Sequence, residues 1–353
     1  MPVKLKAYSR QDDGHRSAYV DFARSRLGAE RIGTGGITGH ADPVIFLMIE
    51  EGFWRYVGTS MLRALRGRRT IGLLFRPLPC VASRALRHRV KYTALRSLRR
   101  FRLISTLTIV PLDLDKRFSR IADGSVHDFQ LWDLTPEEIA TVQVSAGRRT
   151  PEETSAPEGT GFSALDLRKA AGDRKIVVSL GLLNRSKGFD FLAHAYATHS
   201  ALREKVLVAA GGRVEPASAA AGDALRKTGG WLADRFISNA ELLQLYAAAD
   251  VVWCYYEPDY DQASGILGRA MQLGLPVVVR KGSLNHLFCE RLDYPHVASD
   301  GQDIDEVLDN LPPPLSPEEA ERLVERFRVE SLSALAAAAG GPIPLDPPPE
   351  GKN

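Results

Sequence analysis

The residues of this chain best suited to chemistry cluster in a turn. The run KIVVSLGLLNRSKG places Gly181 at the end of an apolar stretch. Asn184, Arg185, Ser186 and Lys187 follow, and Gly188 opens a predicted helix. Gly181 lets a ligand approach the backbone closely, and Lys187 adds a point charge near a helix amino terminus. Together they suit an anion, phosphate above all. The bland alternative is a strand-to-helix turn whose lysine is merely solvated. A second set stands in DQASGILGRAMQLGLPVVV, residues 261–279. There the N–H groups of Ser264, Gly265 and Ile266 lie at a predicted helix start, also suited to phosphate. Glu257 and Asp261 supply carboxylates just ahead of it.

Between these sets lies RFISNAELLQLYAAADVVWCYY, in which Ser238 and Glu241 form a capping box ahead of a helix and a buried strand. In order and spacing the three stretches resemble the carboxy-terminal domain of retaining glycosyltransferases of the GT-B fold (family 4, group 1), mainly over residues 173–280. The resemblance implies an α/β protein of two Rossmann-like domains facing each other across a cleft. It implies a metal-independent hexosyltransferase that needs no cofactor. Such an enzyme moves a sugar from a nucleotide-sugar donor to a saccharide or lipid-linked acceptor, in surface polysaccharide or glycoconjugate synthesis.

In that family a Lys-Gly pair and an Arg after the first Gly contact the donor diphosphate. Lys187 matches, Leu182 stands at the Arg position, and Arg185 is close enough to substitute. The family's two acidic residues fall on Asp261 and Arg269. The first holds sugar hydroxyls, a role Glu257 is also near enough to fill. The second holds the ribose, and Arg269 reverses its charge. In similar enzymes the backbone just before the ELLQLYAAA helix lines the nucleotide base, making Trp231, Arg235 and Phe236 candidates for that contact. Gly14 and His15 stand where similar enzymes place a Gly-rich turn facing the donor phosphates, with His15 in reach of leaving group or acceptor. The D-x-D tripeptides Asp113-Leu114-Asp115 and Asp259-Tyr260-Asp261 are of a kind that arises often by chance, and no cysteine–histidine spacing suggests zinc.

The elements that must position these residues alternate. PVIFLMI (43–49), TIGLLF (70–75) and LISTLTIV (103–110) are continuous apolar runs, as expected of buried parallel strands, with helical stretches between them. The alternation restarts at KIVVSL and continues through KVLVAA, DVVWCY and LPVVV. This predicts two parallel sheets with helices on their faces. A chain of 353 residues suits two domains. The expected division is an acceptor-side domain over 1–135, a partly mobile connector over 136–172 and a nucleotide-sugar domain over 173–315. A helix over 316–339 capped by Ser316 lies near the domain junction, and 340–353 is a disordered tail.

Net charge is only +3, yet from Gly52 to Arg102 there are thirteen Arg, one Lys and no acidic residue. Arg84, Arg87, Arg89, Lys91, Arg99 and Arg100 are predicted on one helix over 83–102. Leu86, Val90, Leu95, Leu98 and Phe101 form an apolar stripe beside them. Such a helix suits an anionic membrane surface, with Trp54 and Tyr56 at the interface, or an acceptor. Arg76, ending a strand, faces the expected ligand edge of the sheet. No nucleic-acid-binding motif accompanies the charge. The start MPVKLKAYSRQDDGH lacks the apolar core of a signal peptide, and three cysteines without metal spacing fit a reducing cytoplasm. The expected location is therefore cytoplasmic, at most peripheral to the membrane. Leu182 and Arg269 also allow a non-catalytic GT-B relative that binds partners, and the basic stretch allows a polyanion or nucleic-acid binder.

Overall fold

The computed structural model describes residues 3–10, 15–146, 161–301 and 304–343. Its chain divides into two compact units, residues 1–129 with 325–353, and residues 130–324. Each unit is built on a six-stranded sheet in which every pairing is parallel.

In the first unit the strands are β1 (Lys6–Tyr8), β2 (Glu30–Arg31), β3 (Val44–Phe46), β4 (Thr70–Leu74), β5 (Ile104–Thr108) and β6 (Gly124–Ser125), in the order β2-β1-β3-β4-β5-β6. β3 and β4 are buried at every position, which is why they read as unbroken apolar runs rather than alternating ones. Helices Phe53–Leu65 and Leu86–Leu98 cover one face. Tyr56 is fully buried and hydrogen-bonds Thr106 Oγ1 at 2.9 Å. Its ring occupies the space that Gly72 leaves: a Cβ there would stand 2.5 Å from the ring. Tyr56 is therefore a core residue and not the interfacial one expected, whereas Trp54 is 60% exposed. The expected stripe along the basic helix also divides. Leu95 and Leu98 turn into the core, while Leu86 and Val90, elsewhere on the 3.6-residue wheel, face solvent.

Arg63 is fully buried in this unit. Its guanidinium donates to the carbonyls of Ile37, His40, Asp42 and Arg69 and to Thr70 Oγ1, at 2.7–3.1 Å. One cation thus gathers the Gly-rich 33–40 segment onto the start of β4.

The second unit holds β7 (Lys175–Leu180), β8 (Val206–Gly211), β9 (Trp231–Ala233), β10 (Val251–Cys254), β11 (Val277–Arg280) and β12 (His296–Ser299), in the order β12-β11-β10-β7-β8-β9. Its core includes Val177, Leu192, Tyr196, Val208, Val251 and Trp253. The span expected to be a connector carries two helices, Pro136–Ser145 and Ala164–Ala171, each started by a capping box, Thr135 with Glu138 and Ser163 with Asp166. Both pack on the Asn239–Ala248 helix, where Gln244 Oε1 accepts the Ala164 amide at 3.0 Å and Asn239 donates to Glu138 at 2.7 Å. The polar composition there belongs to the outer faces of packed helices; residues 147–160 lie outside the described ones. Helix Pro317–Ala339 begins in the second unit's span and ends in the first's, with a Ser316–Glu319 capping box. Residues 344–353, most of the expected tail, are outside the described residues.

Candidate functional site

The turn after β7 is fixed by close backbone packing. Gly181 has φ +84° and donates its N–H to Gly211 O at 2.9 Å. Asn184 Oδ1 accepts the Lys187 amide at 3.0 Å, closing a short 3-10 turn over Arg185–Lys187. Gly188 follows at φ +70°, where a Cβ would fall 2.2 Å from Tyr255 O, and its own carbonyl accepts from Trp253 Nε1 at 3.1 Å. No residue with a Cβ fits there.

The result is a convergence. Lys187 Nζ lies 3.4 Å from the point a Cβ on Gly181 would occupy, and Ile266 Cδ1 lies 3.8 Å from the same point. The ammonium is half-buried, and burial pushes its pKa below the ordinary lysine value against the weaker pull of Cys254 and Glu215. It makes no hydrogen bond or ion pair with any described residue. Arg185, in the same turn, is exposed and likewise unpaired among the described residues. A desolvated cation with no ion-pair partner among the described residues, over bare backbone, suits an anion.

Ile266 brings with it the start of helix Gly265–Gln272. Ser264 caps that helix through Leu267 N (3.1 Å) and meets Tyr256 Oη at 2.7 Å. Gly265 is packed by Gln130, whose Oε1 would stand 1.7 Å from a Cβ there. The loop between β10 and this helix is tied to the lysine turn, because Glu257 N donates to Ser186 O at 3.0 Å. The Glu257 carboxylate has no partner among the described residues. Asp261 differs. Its Oδ1 accepts the Leu284 amide at 2.9 Å and its Oδ2 lies 3.3 Å from Arg280 Nη2. Burial outweighs both and raises its pKa above the ordinary aspartate value.

Arg269 is engaged within its own unit. Nη1 donates to Asn239 Oδ1 at 2.9 Å and Nη2 to Asp133 Oδ2 at 3.0 Å. Gln272 Nε2 reaches the other oxygen of Asp133 at 2.9 Å. Asp133 was not legible as its partner, for 136 residues separate the two. Arg235 pairs with Glu241, an interaction that with the Ser238 and Gly161 amides pulls the Glu241 carboxyl down to about 2. Phe236, next to it, is 85% exposed. Trp231 packs edge-on against Phe162, with centroids 4.6 Å apart.

In the first unit Gly14 lies outside the described residues and His15 begins helix His15–Leu27. Arg76 is exposed just beyond the carboxyl end of β4, and its amide donates to Glu50 Oε1 at 2.6 Å. Glu50 was missed in the sequence, although it directly follows an apolar strand run. Its Oε2 is buried without a partner, and burial raises its pKa. Arg84, Arg87, Arg89 and Arg100 are exposed; Lys91 lies over the Phe53 ring at 5.3 Å; Arg99 pairs with Asp123 at 2.9 Å. Asp115 is held by Arg117, and among the described residues no three His, Cys, Asp or Glu side chains are grouped to hold a metal. No described helix is long and apolar enough to cross a membrane.

No family model matches the chain, and no curated protein matches it. Solved structures do. A trehalose 6-phosphate synthase from Burkholderia multivorans matches with TM-score 0.55 and 14% identity, over 92% of this chain and 82% of the other. HepE from Anabaena, solved with UDP, matches with TM-score 0.55 and 13% identity over 97% and 96%. The Escherichia coli trehalose-6-phosphate protein bound with UDP-2-fluoro glucose matches with TM-score 0.53 and 11% identity over 84% and 73%. These neighbours are GT-B glycosyltransferases, and with two Rossmann-like units on all-parallel six-stranded sheets this chain has the GT-B fold.

Proposed function

We propose that the protein is a retaining glycosyltransferase that takes its sugar from a nucleotide-sugar donor. The observation that carries this reading is the unpaired, half-buried Lys187 ammonium over Gly181, beside Ile266 at a helix start. In the proposed reaction the bond from the anomeric carbon to the diphosphate breaks, an acceptor hydroxyl bonds to that carbon on the same face and gives up its proton to the leaving diphosphate, and negative charge grows on the departing oxygens. Lys187, Arg185 and the amides of Gly265 and Ile266 neutralise it where it develops. These protein cations do the work a metal would otherwise do. Glu257, whose carboxylate has no partner among the described residues, orients the donor sugar, and Phe236 offers a face for the base. With Arg269 bound to Asp133, the ribose is held by other groups. The acceptor is a saccharide or lipid-linked saccharide.

The test is a thermal-shift screen against UDP-, GDP-, ADP- and CMP-sugars, followed by transfer assays and by Lys187→Ala. UDP-sugars come first because HepE, similar in fold, was solved with UDP. A ligand at 100 times its Kd stabilises by about 2.7 kcal/mol. Lost binding in Lys187→Ala supports the reading. A wild type that binds donors but turns none over favours a scaffold relative instead.

A second property rests on a separate observation. Leu86 is 74% exposed on the helix that also carries exposed Val90 and the Arg87 and Arg89 cations, with exposed Arg84 just before it. We propose that this face rests on an anionic membrane surface, each basic side chain contributing about 1 kcal/mol. Co-sedimentation with anionic and neutral vesicles at low and high salt tests it. Equal binding to both vesicle types, or to neither, rejects it. Salt-sensitive binding to nucleic acid instead would favour a polyanion binder.

A further inference from the structure

The basic residues of the first unit divide between the two ends of its sheet. Helix Leu86–Leu98 runs antiparallel to the strands it covers, so Arg84 and Arg87 lie toward the carboxyl ends of the strands. Arg96, Arg99 and Arg100 lie toward the amino ends, where β5 and β6 begin. At that second end a groove of about 890 Å3 opens between the helix and the turn Phe118–Arg120. Arg96, Arg99, Arg100 and Arg120 line it, with Tyr92 and Ser97.

Arg99 builds the groove. Its Nε donates to Asp123 Oδ1 at 2.9 Å and its Nη1 to the Ser119 carbonyl, joining helix to turn. Asp123 is itself anchored, accepting the Thr106 amide at 2.9 Å. The nearby Asp115 is taken up by Arg117. The acidic groups around the groove are thus committed, and the side chains of Arg96, Arg100 and Arg120 make no hydrogen bond or ion pair with any described residue, although Arg120 lies close enough to Asp115 to help Arg117 hold that carboxyl below its ordinary value. Three guanidiniums without a hydrogen-bonded partner among the described residues, around one concave volume, present donors to tetrahedral oxyanions, which arginine forks grip in pairs. Ligands of open α/β sheets bind beyond the carboxyl ends of the strands. This groove lies at the opposite end, and in the other unit from Lys187.

We propose that this groove is a second binding site, separate from the donor site, for a ligand carrying phosphate with two or more negative charges. The phosphate belongs either to a free phosphorylated compound or to the headgroup of a lipid. The inference does not depend on the donor reading.

The test is calorimetric titration of the full chain with inorganic pyrophosphate at low salt, and co-sedimentation with phosphatidic acid vesicles against phosphatidylcholine. Four proteins are compared: wild type, Lys187→Ala, and Lys187→Ala carrying either the triple Arg96→Ala/Arg100→Ala/Arg120→Ala or a charge-matched triple of exposed lysines elsewhere, Lys4→Ala/Lys169→Ala/Lys227→Ala. Circular dichroism checks folding. In the Lys187→Ala background, which removes the donor-site cation, pyrophosphate or phosphatidic acid binding should persist, weaken at least about tenfold when the arginine triple is added and change less than about twofold when the lysine triple is added. Arginine-dependent loss of pyrophosphate alone identifies a free ligand; loss of phosphatidic acid binding identifies a headgroup. Binding abolished by Lys187→Ala, equal losses in the two triples, no loss in the arginine triple, or no binding of either probe would each overturn the proposal.

Discussion

Arg269 Nη2 lies 3.0 Å from Asp133 Oδ2, and both side chains are largely buried, 16% and 17% exposed. The charge at position 269 is therefore part of how helix Gly265–Gln272 is held to the 130–134 segment. A carboxylate there would face Asp133, with Glu138 also near. Arg269→Glu should destabilise the protein by about 3 kcal/mol, the low end for leaving one partner of a buried pair uncompensated. Urea denaturation measures it. Wild-type stability in that variant would show that the pair does not hold the helix.

Lys187→Ala should act in opposite directions on ligand and fold. Removing the cation from a diphosphate site should cost about 100- to 1,000-fold in turnover. Stability should hold or rise, because a half-buried charge without a partner is lost. The pH dependence follows from its lowered pKa. The folded state binds the Lys187 proton less tightly than the unfolded chain. Its contribution to stability therefore grows as pH rises from the folded pKa toward 10.5, while affinity for the diphosphate falls over the same range. Titrating affinity and denaturation midpoint against pH, in wild type and variant, tests both signs.

Glu257 and Asp261 should separate in the same assays. Both Asp261 oxygens are engaged inside the unit, by the Leu284 amide and Arg280, so Asp261→Asn should lower stability by about 1–3 kcal/mol. Glu257→Gln should leave stability within about 0.5 kcal/mol, while weakening donor binding or turnover. Denaturation and donor titration on the two variants decide. The reverse pattern would move the sugar contact to Asp261.

Glu241 should give the protein an acid-sensitive step. Its carboxyl is pulled down to about 2, first by Arg235, from an ordinary value of 4.5. A depressed acid contributes stability that is fully present above its unfolded pKa and is lost as pH falls through the folded one. Wild type should lose this contribution between about pH 4.5 and about 2, and Glu241→Gln should lack it, being less stable at pH 7 by about 2 kcal/mol. Denaturation midpoints at stepped pH compare the two slopes.

Arg63→Lys should be among the most damaging conservative changes in the first unit. Lysine cannot replace five donors in a planar fork, and carbonyls of Ile37, His40, Asp42 and Arg69 would lose their donor in a dry site. A loss of about 3 kcal/mol or more is expected, read as a lower unfolding midpoint with faster hydrogen exchange over residues 33–42.

The sequence by itself determined the two parallel sheets, because strands buried on both faces must be apolar throughout and so stand out as KIVVSL, DVVWCY or TIGLL. Although the crowding of Gly188 by Tyr255 and Trp253 is a long-range contact, the sequence also determined the local part of the lysine turn, where Asn184 accepts the Lys187 amide three residues on. The Ser238–Glu241 capping box was legible for the same reason. Only the tertiary structure decided the long-range partners. That Arg269 meets Asp133, that Asp261 serves the Leu284 amide and Arg280, and that Gln130 packs Gly265 depend on residues that no local pattern brings together. Tyr56 and the stripe on helix Leu86–Leu98 show the same limit. Apolar or aromatic character fixes what a side chain can bury, but the packing of helix on sheet chooses which side is buried. The division of one acid-free arginine run between two ends of a sheet follows from the antiparallel course of the helix that carries it, which three dimensions alone define.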